Sequence, residues 1–199
     1  MSEAWPDVAD PGNRDAILTA AAALAGSDGP SAGTLAMVLG RNMTAGETGP
    51  RSRQEVQEAI VIEAGRIFDE EVVQPALAAP AGLRQLAVVC EAFFGHLERH
   101  TCPDGCFMAS AALALGTRTG PVRDLIIEMQ AQFGELIRGF AVAAVARNEL
   151  PPGEDPGRLA FELNGIMLAT DTNFVQHEDP AVIELGRQMV RQRLGDGEP

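Results

Sequence analysis

From Asn13 onward, apolar residues recur at intervals of three and four, the spacing that lines one side of an α-helix. Ile17, Leu18, Ala21 and Leu24 make the first such stripe, with Asn13 as its cap, and the stretch from Gly26 to Pro30 breaks it. Ser31 caps a second short helix carrying Leu35, Val38 and Leu39, which Gly40 ends. Between Arg41 and Arg53 no period is legible. Beyond it the spacing predicts helices over about 52–74, 82–100, 103–115, 121–147, 156–177 and 180–194. Pro75 and the Pro-Pro-Gly at 151–153 stand as breaks. No segment alternates apolar and polar positions over strand length, and the chain has no Tyr. The expected fold class is all-α, preceded by a tail over residues 1–12.

Composition narrows the functions. With 46% apolar residues the chain can bury a sizeable core. No apolar run approaches the roughly 20 residues that cross a bilayer, and the N-terminus lacks a signal peptide's positive start, so a cytoplasmic location and no membrane partner are expected. Three cysteines, an odd number, fit a reducing compartment. The net charge is −13, with fifteen arginines and no lysine, which repels a polyanion unless a local basic patch overrides it. There is no Gly-rich phosphate loop, no GxSxG and no ExxH motif, so nucleotide, nucleophilic-serine and di-iron chemistry are set aside and no cofactor is expected.

This order of short helices followed by six mostly longer ones resembles the tetracycline-repressor (TetR) family from Asn13 to Leu194. Arg14-Asp15-Ala16-Ile17-Leu18 through Ala25 is similar to the family's first helix, and Thr34 through Gly40 to its second. Phe68-Asp69-Glu70-Glu71-Val72-Val73-Gln74-Pro75-Ala76-Leu77 resembles the end of the fourth in one subgroup of regulators. Gly105-Cys106, Gly120-Pro121-Val122-Arg123-Asp124 and Leu159-Ala160-Phe161-Glu162-Leu163 extend the match. The resemblance implies a helix-turn-helix-like domain over 13–51 and a ligand-binding, dimerising helical bundle over 52–199.

The chain departs from the family where the DNA-recognition helix belongs. Gly46, Glu47, Thr48, Gly49 and Pro50 stand there instead of a leucine, aromatics and a cap. Each glycine weakens a helix by about 1 kcal/mol relative to Ala, and an interior Pro by about 3 kcal/mol. Residues 1–50 carry six acids against Arg14 and Arg41, whereas a DNA-binding module needs a basic face. Arg41, Arg51 and Arg53 are the available phosphate contacts. The expectation is weak, non-specific DNA binding; a divergent but working reader is the alternative.

In the bundle, polar residues on apolar stripes mark a candidate site. Glu63 lies amid Val56, Ile60 and Ile67, where desolvation would raise its pKa and suit it to general acid or base work, unless solvent or an arginine such as Arg66 or Arg84 meets it. His96, beside Val89 and Phe93, is a second acid–base candidate; its bland counterpart is an edge histidine bonded to backbone. Asp171 and Asn164, seven residues apart, share one side of helix 156–177 between two apolar faces, near Met167. One of those faces carries Leu159, Leu163, Ile166, Thr170 and Phe174, and the other Phe161, Leu168 and Val175. Phe93, Met108, Met129, Gln132 and Phe133 complete the ligand-lining set. His96, His100, Cys102 and Cys106 have spacings that zinc tolerates, but both patterns are common and no metal is assigned. Gly165, Ala169 and Thr172 form a small-residue side suited to close approach of a partner helix.

Three functions follow. In one, a TetR-like homodimer through its last two helices has lost operator reading and keeps a pocket for a small apolar or aromatic molecule. That pocket would be repurposed for cofactor-independent condensation or cyclisation of an aromatic or polyketide-like biosynthetic intermediate, with Glu63, His96 and Asp171 as its catalytic acid–base groups. In another, the chain is a ligand-responsive TetR-type repressor with an atypical recognition helix. A regulator-like chain that heterodimerises with a true family member is a third.

Overall fold

The computed structural model describes residues 53–99, 105–115, 117 and 119–195. The expected tail, the first two helices and the Gly46–Pro50 stretch lie outside the described residues, as do Arg41 and Arg51. Every regular element among the described residues is helical. They are α1 (Arg53–Phe68), a π-helical turn (Asp69–Val73), α2 (Gln74–Ala78), α3 (Leu83–Glu98), α4 (Phe107–Leu115), α5 (Pro121–Ala146), α6 (Pro156–His177) and α7 (Pro180–Leu194). They fall into two compact units, 53–66 with 105–129 and 67–99 with 130–195.

The sequence locates α6 and α7 because each opens on Asp-Pro. Asp155 Oδ1 accepts from the amides of Gly157 (2.8 Å) and Arg158 (3.0 Å), and Asp179 Oδ1 from Ala181 (2.9 Å). The proline that follows each cap has no N–H to leave unsatisfied. Three expected boundaries need correction. The helix expected to run to Gln74 and stop at Pro75 ends as α-helix at Phe68, widens into the π-turn, and resumes with Pro75 in the first turn of α2. In an unbroken α-helix the Pro75 ring would meet the carbonyl of Glu71; a wider turn upstream and a fresh first turn avoid that. Helix α3 is shorter than 82–100, and α4 begins at Phe107 and not at Pro103, which lies outside the described residues.

In the first unit, Ile60, Val61, Ala64, Met108, Ala111, Val122 and Ile126 are buried. Met129 packs over Gly65, where an added Cβ would lie 2.7 Å from Met129 Cε. In the second unit α3 is the central element, packed on the π-turn, α2, α6 and α7. It buries Leu86, Val89, Cys90, Phe93, Phe94, His96 and Leu97. Against it lie Leu159, Leu163 and Met167 of α6 and Ile183 and Val190 of α7. Helices α6 and α7 approach closely at Gly186, where a Cβ would collide with Thr170 Oγ1 and lie 3.1 Å from the Phe94 ring.

Ion pairs fasten this unit at its surface. Arg187 of α7 bonds Glu91 (2.8 Å) and Glu98 (2.7 Å) on α3. Arg193 joins Glu154 and Glu162. At the start of α3, the N-cap Gly82 has φ of 105°, which an L side chain rarely adopts, and the Leu83 amide donates to Glu149 Oε2 at 2.8 Å. The carboxylate thus takes up a helix-end donor from 66 residues away. That bond, with Arg147 behind it, holds the Glu149 carboxyl below the usual carboxylate range.

Candidate functional site

The π-turn determines the site in the second unit. Gln74 N–H bonds back to Asp69 O, five residues earlier, and Gln74 Nε2 repeats the link to Asp69 Oδ2 at 2.9 Å. A π-turn shifts the helix register by one residue and is often found at functional sites. Here Glu71, the middle residue of the turn, bonds α3: its Oε2 lies 2.8 Å from His96 Nδ1 and 3.1 Å from Arg99 Nη2. An ionised carboxylate only accepts, so the Nδ1 of His96 carries the hydrogen and the ring is held in one orientation. His96 is 3% exposed. It is therefore a buried histidine clamped by a carboxylate, not an edge histidine.

Aromatic rings pack around it. The Phe68 ring stands edge-on to His96, with centroids 5.9 Å apart, to Phe133 at 5.0 Å and to Phe93 at 6.3 Å. Phe93 in turn meets Phe94 edge-on at 6.2 Å. Such offset pairs add about 0.5–1.5 kcal/mol each beyond area burial. Phe68 ends α1 where the π-turn begins, so one local distortion delivers both the ring above His96 and the carboxylate beside it. The result is an imidazole fixed in an aromatic, weakly polar setting.

The other expected residues are distributed as follows. Glu63 is on α1, in the first unit, flanked on its stripe by buried Ile60 and Ile67; its side chain lies outside the described residues. The Arg53 side chain is likewise outside them, although Arg53 opens α1. Met108 is buried and Met129 half-buried in the first unit. Phe93 and Phe133 meet through Phe68, whereas Gln132 is exposed on α5. On α6, Met167 is fully buried, Asp171 is 5% exposed and Asn164 is half-buried. One placement on that helix needs correction: Met167 and Asp171 belong to the buried stripe with Leu159, Leu163 and Phe174, not between stripes. The second face, Phe161, Leu168 and Val175, is exposed in the single chain. No buried side-chain nitrogen or oxygen among the described residues lacks a hydrogen-bond partner, so Asp171 is an integrated core group. Of the His–Cys set, His96 is bonded to Glu71, Cys106 is buried, and His100 and Cys102 lie outside the described residues. Burial pushes the Cys90 thiol up to about 12, which suppresses its thiolate.

Sequence reasoning missed Glu71 and Phe68. The available signal was Pro75, four residues after Glu71 in a pattern otherwise helical through Leu77.

A second feature of the same unit is the outer surface of α6 and α7. Phe161, Leu168 and Val175 of α6 and Leu185 and Met189 of α7 are exposed. A groove of about 820 Å³ runs between the helices, lined by Gly165, Ile166, Ala169, Leu185 and Met189 among others. No described helix is long and apolar enough to cross a membrane.

Comparison with known proteins places this architecture. Solved structures share the fold, among them the following two. A TetR transcriptional regulator from Chloroflexus aurantiacus J-10-FL is 18% identical, with a TM-score of 0.69, over 90% of this chain and 92% of that one. A transcriptional regulator of the TetR/AcrR family from Thermobifida fusca YX-ER1 is 17% identical, with a TM-score of 0.54, over 94% and 100%. No curated protein matches the sequence. The tetracyclin repressor-like C-terminal domain family matches residues 82–190, more than half of the chain, and the protein is therefore a member of the TetR family.

Proposed function

We propose that the protein is a ligand-responsive transcriptional regulator of the TetR type, whose second unit senses a small apolar or aromatic molecule at the His96–Glu71 pair and the Phe68, Phe93 and Phe133 rings. The observation that carries this is the match of a tetracyclin repressor-like C-terminal domain over 82–190, the stretch that contains His96 and Phe133. Both structural neighbours bear the name of transcriptional regulators, which favours this reading over a repurposed enzyme.

The working form in this proposal is a cytoplasmic homodimer joined through α6 and α7. Five large apolar side chains exposed on two adjacent helices, beside a glycine with open space at its Cβ position, suit a self-complementary interface. Gly165→Trp is expected to yield monomers in sedimentation; an unchanged dimer would move the interface elsewhere.

One observation favours a second reading, a ligand-binding family member that no longer reads DNA: the helix-breaking Gly46–Pro50 stretch in an acidic segment. Selection of genomic fragments on the full-length protein separates the two. The regulator reading expects a recurring site, bound with the roughly 10⁻⁸–10⁻¹¹ M affinity of specific readers and released by ligand. Failure to enrich any site with folded dimer would support the second reading.

A further inference from the structure

A groove of about 700 Å³ lies between α3 and α7, within the second unit and away from the His96 cluster, none of whose polar groups but Arg99 line it. Its apolar lining includes Ala87, Val88, Ala92, Phe94, Val190 and Leu194. Small residues on α3 hollow it out. At Gly95 an added Cβ would meet only the Arg99 guanidinium, at 3.1 Å. The volume falls within the roughly 300–1,000 Å³ of small-molecule sites.

Its charge runs against that of the protein. The chain has 28 acids against 15 bases, yet four arginines line this groove, Arg84, Arg99, Arg187 and Arg191, with Glu91 as the one acid among the lining residues. Glu71, Glu98 and Glu184, which hold Arg99, Arg187 and Arg191, do not line it. Arg187 is anchored on both Glu91 and Glu98 and is 17% exposed, so it is a fixed part of the wall. Arg84 is exposed and makes no hydrogen bond or ion pair among the described residues. Its guanidinium offers five donors to an incoming anion. Arg84 and Arg99 stand 15 residues apart on α3 and its cap, about 22 Å at 1.5 Å per residue.

A long apolar trough with a free guanidinium near one end matches one chemistry. We propose that this groove binds a long-chain fatty carboxylate, its alkyl chain along Ala87, Val88, Val190 and Leu194 and its head group on Arg84. The apolar lining supplies affinity through burial of the chain, and the guanidinium gives orientation and selectivity for an acid over an alcohol. This site is separate from the effector site proposed above and does not rest on it.

The test uses full-length protein and a photoreactive dodecanoate, with cross-links mapped by peptide mass spectrometry. Cross-links are expected in peptides spanning α3 and the end of α7; cross-links confined to other segments would overturn the proposal. Dodecanoate should compete, and dodecanol should compete about tenfold more weakly, the equivalent of about 1.4 kcal/mol for the lost charge-assisted bond. Equal competition would overturn recognition of the carboxylate. Arg84→Glu should weaken dodecanoate binding by about tenfold or more while leaving Tm unchanged, because Arg84 has no partner to lose among the described residues. Ala87→Leu should fill the trough and reduce binding further. Binding that survives both substitutions but falls with His96→Gln would locate the fatty acid at the aromatic cluster and reject the groove.

Discussion

Gly186 offers the sharpest test of how α6 and α7 pack, because the same substitution has a built-in control elsewhere. Replacing Gly186 with Val puts a Cβ into Thr170 Oγ1 and within 3.1 Å of two Phe94 ring atoms. Neither neighbour yields cheaply. Thr170 is 5% exposed, and its hydroxyl donates to Ile166 O at 2.8 Å; Phe94 is 1% exposed and packs on Phe93. Overpacking a core costs about 1–3 kcal/mol, and removing a helical glycine returns about half a kcal/mol for Val. With two immobile neighbours the net loss should be about 2 kcal/mol, or roughly 4–8 °C in Tm for a chain of this size. Gly139→Val is the control: it is also helical, with nothing within 4 Å of its Cβ position. It should change stability by under about 0.5 kcal/mol. Urea titration of the two variants gives the comparison, and Thr170→Ala should recover part of the Gly186→Val loss. Equal effects at positions 186 and 139 would refute the close crossing.

Three further outcomes follow. Glu71→Ala should destabilise the chain by about 1–3 kcal/mol in urea titration, because it leaves the buried His96 Nδ1–H without its acceptor; no loss would mean His96 does not depend on Glu71. Glu98, Glu149, Glu162 and Glu184 all have carboxyl pKa values held below the ordinary range by arginine or backbone donors. Groups so shifted contribute stability that is present above the unfolded value near pH 4.3 and lost as pH falls through the folded value. Tm should therefore fall on acidification below about pH 5, and Glu149→Gln should flatten the slope; a Tm that rises as pH drops would contradict these pairs. Cys90, buried and with its thiol at about 12, should resist iodoacetamide at pH 8 in the native state and label in urea; native labelling would expose the error.

Much of the fold was legible because its signals are local. Asp-Pro at 155–156 and 179–180 opens α6 and α7, and the helix expected over 121–147 is α5, Pro121–Ala146. The site was only half legible. His96, Phe93 and Phe133 follow from periodicity, but Phe68 did not stand out, and Glu71 sits in an acidic run, Asp69-Glu70-Glu71, which in α-helical register reads as a solvated face. Only the widened turn brings it to His96, and a wider turn has no periodic signature of its own. Asp171 was misplaced for the opposite reason. A helix with apolar residues on two sides does not reveal from sequence which side is core, and packing on α3 and α7 buries the Leu159, Leu163 and Met167 side.

Regulation by ligand-controlled DNA binding can be measured on the full-length protein by enrichment of genomic fragments at about 150 mM salt, where specific and non-specific binding separate. A ligand-responsive regulator should enrich a recurring palindromic sequence whose binding weakens with Arg51→Ala and whose release by an apolar or aromatic ligand is blunted in His96→Gln. Folded, dimeric protein that enriches no sequence above bulk DNA would contradict it.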